Sequence, residues 1–471
     1  VAEPVVGDAP AEHGGSAGLT VASAQGRWVL LVTILGSGLA QLDATVVNLA
    51  LPHIGIDLHV GLRSLQWVVT SYTLTLAALL LTGGALGDSF GRRRVFALGV
   101  GLFALASLAC GMAPGESTLI SARLVQGVGG ALLTPGSLAI LQASFAPEER
   151  AKAIGAWTGL GGVAGALGPI VGGLLLRVGS WRLVFLINPP IAVLVLLVTF
   201  RHVPETKASS GDRHVDVQGT ACAAGGLALL TYGLIEDRWP LTVAGVAVLG
   251  LFVLVEHREA RPMLPPGIFG SRQFTGANLV TFVQYGAMGG VFFLLPVELQ
   301  SASGFSPLVA GAALLPVTVL MLLFAARSGA IAARIGPRLQ MTAGPVLVGV
   351  GLLLLRRVGV GASYWVDVLP AVVVFALGLV VVVAPLTATA LASAPAEHVG
   401  LASAVNNDVA RVAGLLAVAV LPAAAGISGA AYLHPAELAA GFRTAVTVAA
   451  ALSLVAAAIA AALIRNPRLP G

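Results

Sequence analysis

Long apolar runs alternate with short polar links along the whole chain, and the runs have the length of membrane-crossing helices. A helix needs about 20 mostly apolar residues to cross a bilayer. That window predicts fourteen spans, over 28–51, 65–86, 95–113, 118–142, 153–176, 182–200, 217–235, 239–256, 274–299, 307–330, 341–356, 366–392, 400–424 and 440–463. The boundaries are least sharp for the seventh, eighth and eleventh. The links leave no room for a sizeable soluble domain. Within lipid a helix satisfies its own backbone polar groups, so the expected class is an all-α integral membrane protein.

Composition agrees with the pattern. Of 471 residues, 57% are hydrophobic and 10% are charged, against roughly 25% charged in soluble proteins. The net charge of +5 comes from basic residues scattered between apolar runs. That distribution suits a membrane surface and not a nucleic acid. With the N-terminus inside, 17 arginines and lysines fall in inner segments and 7 in outer ones. Basic residues collect on the cytoplasmic side, so both termini are expected there. Residues 1–26 have no basic region ahead of the first run and are expected to form a disordered cytoplasmic tail, not a signal peptide. Cys110 and Cys222 lie far apart in apolar runs and indicate no disulfide framework. No metal-ligand cluster, Walker loop, nucleotide fingerprint or nucleophile–base constellation occurs. An ATP-driven pump and an enzyme are therefore not expected, and no cofactor is.

The chain repeats itself weakly. Gly84-x-x-x-Asp88-x-x-Gly91-x-Arg93 recurs as Gly329-x-x-x-Ala333-x-x-Gly336-x-Arg338, Leu51-Pro52 as Leu295-Pro296, and Pro147-x-Glu149 as Pro395-x-Glu397, all at an offset near 245. Paired halves are a common build of transporters. The predicted organisation is a six-helix bundle over 27–200, a linker with two extra helices over 201–273, and a second six-helix bundle over 274–471.

Four stretches carry candidate chemistry. The link Gly84-Ala85-Leu86-Gly87-Asp88-Ser89-Phe90-Gly91-Arg92-Arg93-Arg94 combines turn-forming glycines with charge. Gln41-Leu42-Asp43-Ala44-Thr45-Val46-Val47-Asn48 places an acid inside the first span, and Arg123-Leu124-Val125-Gln126 places a base inside the fourth at similar depth. Ionisable residues at membrane depth are costly and mark function by default. An Asp43–Arg123 pair is expected, acting either in proton coupling or simply as a neutralised buried charge. The fifth span reads Gly159-x-Gly161-Gly162-x-x-Gly165-x-x-Gly168-Pro169-x-x-Gly172-Gly173; spacing by four lets helices approach closely.

These motifs resemble those of the major facilitator superfamily, and the fourteen-span layout resembles its fourteen-helix drug:proton antiporters. The resemblance covers nearly the whole chain. It implies a major facilitator fold of two six-helix halves plus two inserted central helices, and secondary export of small, amphipathic, drug-like compounds by alternating access. Export of an endogenous metabolite, solute uptake, or a receptor or scaffold role are the alternatives. The coupling ion would be the proton, with Asp43, Arg123, Asp408 and Glu298 as proton-coupling candidates. Asn48, Gln126, Gln284 and Tyr285 would be substrate-binding candidates. Gly84, Asp88, Gly91, Arg92 and Arg93 would form the cytoplasmic gate, with Ser89 replacing a usual arginine. Gly161, Gly165, Gly168, Pro169 and Gly172 would form the antiporter motif. Asp408 and Arg411, three apart on one helix, are expected to pair. Glu298 reads either as a solvated rim acid or as an access point for cations or protons. The expected setting is the cytoplasmic membrane of a bacterium, with the lipid bilayer and a small-molecule substrate as partners, no nucleic acid, and function as a monomer.

Overall fold

The structure is a computed structural model and describes residues 18–207, 215–259, 262–394 and 399–466. Among these residues fourteen helices are long and apolar enough to span a membrane. They are α1 (Ala24–Leu58), α2 (Leu62–Phe90), α3 (Arg92–Gly111), α4 (Glu116–Ser144), α5 (Pro147–Val178), α6 (Leu183–His202), α7 (Val217–Ile235), α8 (Trp239–Arg258), α9 (Arg272–Ser301), α10 (Pro307–Ile335), α11 (Pro337–Arg357), α12 (Tyr364–Ala392), α13 (Gly400–Ala424) and α14 (Pro435–Leu463). All fourteen expected spans are present. Several helices run past the expected ends, because an apolar window stops at the first polar turn while backbone hydrogen bonding does not. Ser23, Asp216, Ser271 and Ser306 cap four helices by accepting from a backbone N–H three residues on.

Part of the stretch expected as a tail is bonded in place. Leu19 N–H donates to Ser144 O at 2.8 Å, and its carbonyl accepts from Ala146 N–H at 3.1 Å. Val21 N–H donates to Glu149 Oε2 at 2.9 Å. Residues 1–17 of that stretch, and Pro395-x-Glu397 of the repeat, lie outside the described residues.

The two bundles share their packing as well as their motifs. In the first, α3 and α4 meet backbone to backbone: a Cβ on Gly129 would sit 2.6 Å from Phe103 N and 2.9 Å from Gly99 O. In the second, α11 and α12 meet at Gly344 and Gly378, where a Cβ on Gly378 would sit 2.5 Å from Val348 N and 2.9 Å from Gly344 O. These positions keep the repeat offset, yet a single chain does not single them out among 59 glycines. The links repeat too. Gly91 and Gly336 each turn the chain between helices at φ +115° and +86°, a region that favours glycine. The residues following each bundle's sixth helix fold back onto these turns: Arg93 N–H donates to Glu205 Oε1 at 3.1 Å, and Arg338 N–H donates to Asn466 Oδ1 at 3.0 Å.

The bundles touch each other at one end. Take the end with the α2–α3, α4–α5 and α10–α11 links as the basic end. Among the described residues, every hydrogen bond between 27–200 and 274–466 lies at the opposite end. Gln66 Nε2 donates to Val418 O at 2.7 Å, Gln300 Nε2 to Leu49 O at 2.9 Å, Tyr432 OH to Val60 O at 2.6 Å, and Leu62 N–H to Gly429 O at 2.8 Å. There Gly173 of α5 packs on Leu308, and Gly311 of α10 packs on the Pro169 carbonyl. Toward the basic end α5 is left bare: a Cβ on Gly159, Gly161 or Gly162 would meet nothing within 4 Å. The molecule is sealed at one end and parted at the other.

The glycine contacts give a direct test. Gly129→Ala must push Phe103 off its backbone position, and overpacking of this kind costs about 1–3 kcal/mol. Gly161→Ala meets open space and gains helix propensity of up to about 1 kcal/mol. Thermal melting of the purified protein in detergent should fall for the first and hold or rise for the second.

Candidate functional site

Five helices of the first bundle converge on Asp43. The side chain is 0% exposed, and Arg123 beside it is 1% exposed. Arg123 Nη1–H donates to Asp43 Oδ2 at 2.5 Å and to Gln126 Oε1 at 2.8 Å. Gln126 Nε2 donates to Asp43 Oδ1 at 2.8 Å, and Asn188 Nδ2 donates to the same oxygen at 3.1 Å. Arg123 Nε–H reaches across to the Val68 carbonyl of α2 at 3.0 Å. Asn188 also donates to Ser107 Oγ of α3, whose hydroxyl donates to Phe185 O of α6. The Arg123 guanidinium lies 4.3 Å from the Tyr72 ring centroid and 5.8 Å from that of Phe185, a cation–π setting.

The arrangement decides what the pair can do. Both carboxylate oxygens have donors, and the charge opposite is held by a backbone carbonyl and two rings. With both side chains buried, removing either partner alone would leave an uncompensated charge. Gln126, expected to bind substrate, belongs to this sealed network: three residues after Arg123, it shares the same helix face. Asn188, which is not among the expected site residues, is one of the carboxylate's donors. It sits at the break in α6 made by Pro189 and Pro190, and that Asn-Pro-Pro sequence was the available signal.

A cavity of about 250 Å³ lies between the bundles, separate from the pair. Thr45, Asn48 and Leu49 of α1, Gly165 and Pro169 of α5, Phe292 and Pro296 of α9, and Gly311, Leu314 and Thr318 of α10 line it, and no charged side chain does. Asn48 thus occupies the place expected of a substrate-binding residue, and its Oδ1 is buried without a hydrogen-bond partner. Gln284 and Tyr285 do not line this cavity. Gln284 is 1% exposed, with Nε2 donating to Ser453 Oγ of α14 at 3.4 Å, and Tyr285 packs on the Ala277, Val280 and Met341 cluster. The antiporter glycines divide. Gly168 and Gly172 pack on Thr45 and Val46 of α1 and make the expected close approach. Gly161 and Gly165 do not: a Cβ on Gly161 would meet nothing within 4 Å, and one on Gly165 only Gln41 of α1 at 3.9 Å.

The remaining candidates depart from expectation. Glu298 is not a rim acid: it is 0% exposed, and neither carboxyl oxygen has a hydrogen-bond partner. The apolar turns of α9 around it carry it inward. Asp408 makes no ion pair with Arg411 among the described contacts, and its Oδ1 is unpartnered. Arg411 is near enough to act electrostatically on Asp408 and also, across the bundle boundary, on Tyr72 of α2. At the gate link, Asp88 pairs with Arg92 at 2.8 Å. Arg93 and Arg94 reach Glu205 at 3.7 and 3.6 Å, and Arg92 N–H donates to Thr206 O. The glycine of closest approach there is Gly83, pressed on the Ala131 carbonyl, while Gly84 makes an ordinary contact with Pro135.

A membrane protein of two similar bundles, with a cavity between them sealed at one end, has the architecture of an alternating-access carrier. The sequence profile of the Major Facilitator Superfamily matches residues 33–419, and the chain belongs to that superfamily. It is 39% identical to a puromycin resistance protein of Streptomyces alboniger, over 86% of this chain and 83% of that one. It is 34% identical to a tetracenomycin C resistance and export protein of Streptomyces glaucescens, over 87% and 78%, and 34% identical to the multidrug resistance protein Stp of Mycobacterium tuberculosis, over 83% and 74%. Among solved structures, a peptide transporter POT in complex with sulfate superposes at TM-score 0.68 with 14% identity, covering 93% of this chain and 95% of that one. A bacterial homologue of the lysosomal transporter Spinster superposes at 0.65 with 17% identity, covering 94% and 97%. The chain is a multi-pass membrane transporter of small molecules, and not an enzyme.

Removing one member of a buried ion pair costs about 3–5 kcal/mol, whereas replacing both with apolar groups of similar volume is often neutral. Asp43→Leu and Arg123→Met should each lower stability by that order, and the double variant should recover most of it. A melting-based double-mutant cycle with no coupling would remove the pair from the centre of the bundle.

Proposed function

We propose that the chain exports small, uncharged or weakly charged amphipathic compounds from the cytoplasm, driven by protons flowing inward, and works as a monomer with no cofactor and no nucleic-acid partner. The observation that carries the substrate class is the lining of the cavity. Apolar side chains, two threonine hydroxyls and the unspent Asn48 acceptor suit an apolar body with one or two donors, whereas a full charge would lose its hydration there without a counter-charge. Direction is supported by the relatives, which are named for resistance and export. Export of a self-made compound uses the same machinery and is favoured by a further relative, a probable actinorhodin transporter of Streptomyces coelicolor, 35% identical.

The excess of arginine and lysine at the basic end supports placing that end in the cytoplasm, in a bacterial cytoplasmic membrane. The parted side then faces inward. For an antiporter this is the state after the proton has left, and an ionised Asp43 held by Arg123 fits it. Protonation of Asp43 would belong to a conformation in which Arg123 has withdrawn. Asp408 and Glu298 would be the next carriers in line.

Everted vesicles carrying the protein, acidified inside, should take up puromycin or tetracenomycin C and lose part of their pH gradient on each addition. Asp43→Asn should abolish the gradient-driven uptake and leave compound binding measurable. Full uptake by Asp43→Asn would transfer the proton to another acid, and uptake that ignores the pH gradient would end the antiport reading.

A further inference from the structure

The two inserted helices bring a second pair of carboxyl groups together away from water. Asp216, the residue before α7, is 6% exposed, and Glu256, in the last turn of α8, is 2% exposed. Each spends one oxygen on backbone. Asp216 Oδ1 accepts from Gly219 N–H at 2.7 Å, and Glu256 Oε2 accepts from Leu264 N–H at 2.7 Å. The other two oxygens, Asp216 Oδ2 and Glu256 Oε1, are buried without a hydrogen-bond partner. They converge on one point: a Cβ on Gly219 would collide with both.

Nothing described around the pair neutralises it. No ion pair among the described residues includes either acid. Glu259 of the same turn adds negative charge, and the neighbouring His257 and Arg258 are exposed. From α2 the facing group is Thr82, whose hydroxyl bonds that of Thr220 at 2.7 Å, with Met263 Sδ 3.7 and 3.9 Å from the two oxygens. Two carboxylates in contact cannot both stay ionised in such a place. Calcium and magnesium need about six oxygens or more, and here two are free.

We propose that Asp216 and Glu256 form a proton-binding site, holding one proton as a carboxylic acid–carboxylate hydrogen bond, and that this bond clamps the insert to the chain leading into the second bundle. One carboxyl carries the O–H and the other accepts from it. The clamp acts through Leu264, whose N–H is held by Glu256 and whose side chain packs on the cluster of Phe274 (α9), Ala402 and Val405 (α13). Loss of the proton puts two charges face to face, parts the carboxyls and frees Leu264. The clamp therefore holds at acid pH and opens as pH rises. It does not depend on what the transporter carries or in which direction.

The test needs no transport. Infrared difference spectra of the full chain in lipid nanodiscs, taken across a rising pH series, should contain a protonated-carboxyl band that disappears. Asp216→Asn, which still caps α7, and Glu256→Gln should each remove that band. In a background without Cys110 and Cys222, the labelling rate of Met263→Cys, divided by that of the same variant unfolded in denaturant to remove the thiol's own ionisation, should be low at low pH and rise with pH. Glu256→Gln should flatten that ratio. Gly219→Ala, which wedges the two oxygens apart, should label fast throughout, while Gly225→Ala, with open space at its Cβ, should behave like the parent. A band untouched in both acid variants, or labelling indifferent to pH, overturns the proposal. A response to millimolar calcium or magnesium in place of pH overturns it in favour of a cation.

Discussion

A guanidinium and a carboxylate buried together set the terms for the first bundle. Separately, each would cost several kcal/mol to take out of water. Together they are tolerated because their charged atoms find partners, which α1, α2, α4 and α6 supply and α3 supports. Asp43 comes from α1, the Val68 carbonyl from α2, Ser107 from α3, Arg123 and Gln126 from α4, and Asn188 from α6. A shift of α1, α2, α4 or α6 takes a partner from Asp43 or Arg123. The network thus does more than hold two residues: it ties five helices together around one charge pair.

The glycine contacts act in the same direction by different means. Without a hydrophobic force between helices in lipid, packing depends on close backbone approach. The Gly99–Gly129 and Gly344–Gly378 contacts supply it at matching places in the two halves. What remains free to move is the boundary between blocks. Among the described residues its hydrogen bonds are few and lie at one end, and all but the Leu62 N–H to Gly429 O bond use a side-chain amide or a phenol on a backbone carbonyl, as with Gln66, Gln300 and Tyr432. Such bonds can be exchanged for water when that end opens. Those of Asp43 lie inside one bundle and do not depend on that end.

The membrane class, the number of spans, the two-halves-plus-insert plan and the Asp43–Arg123 pair were all legible in the sequence. Each is written in composition, in local spacing or in a short motif. What the sequence hid is of another kind. Glu205 and Asn466 fasten the two links, but their partners lie more than a hundred residues away. Glu298 reads as polar and near a helix end, yet burial depends on which way α9 is turned, and neighbouring helices decide that. Asp408 and Arg411 have ideal spacing for a pair on an isolated helix, but they make no direct ion pair, and Arg411 also acts on Tyr72 of α2. Gly161 and Gly168 look equivalent in the motif, and only what packs against each tells them apart.

That parting also constrains how the ion pair and the cavity can speak to each other. Asp43 and Asn48 are on the same helix, five residues apart, so they point about 140° from one another and lie about 7.5 Å apart along the axis. One face of α1 is locked into the charged network, and the other forms a wall of the cavity, with Leu49 bonded to Gln300 of the opposite bundle. The cavity holds no charge that a proton could change. Under the proposed antiport, proton and substrate would then be bound at separate places on α1, and a tilt of that helix would alter the Arg123 side and the Asn48 side at once. Pro52, inside α1 and one turn beyond Asn48, removes a backbone hydrogen bond at the point where such a tilt would be taken up.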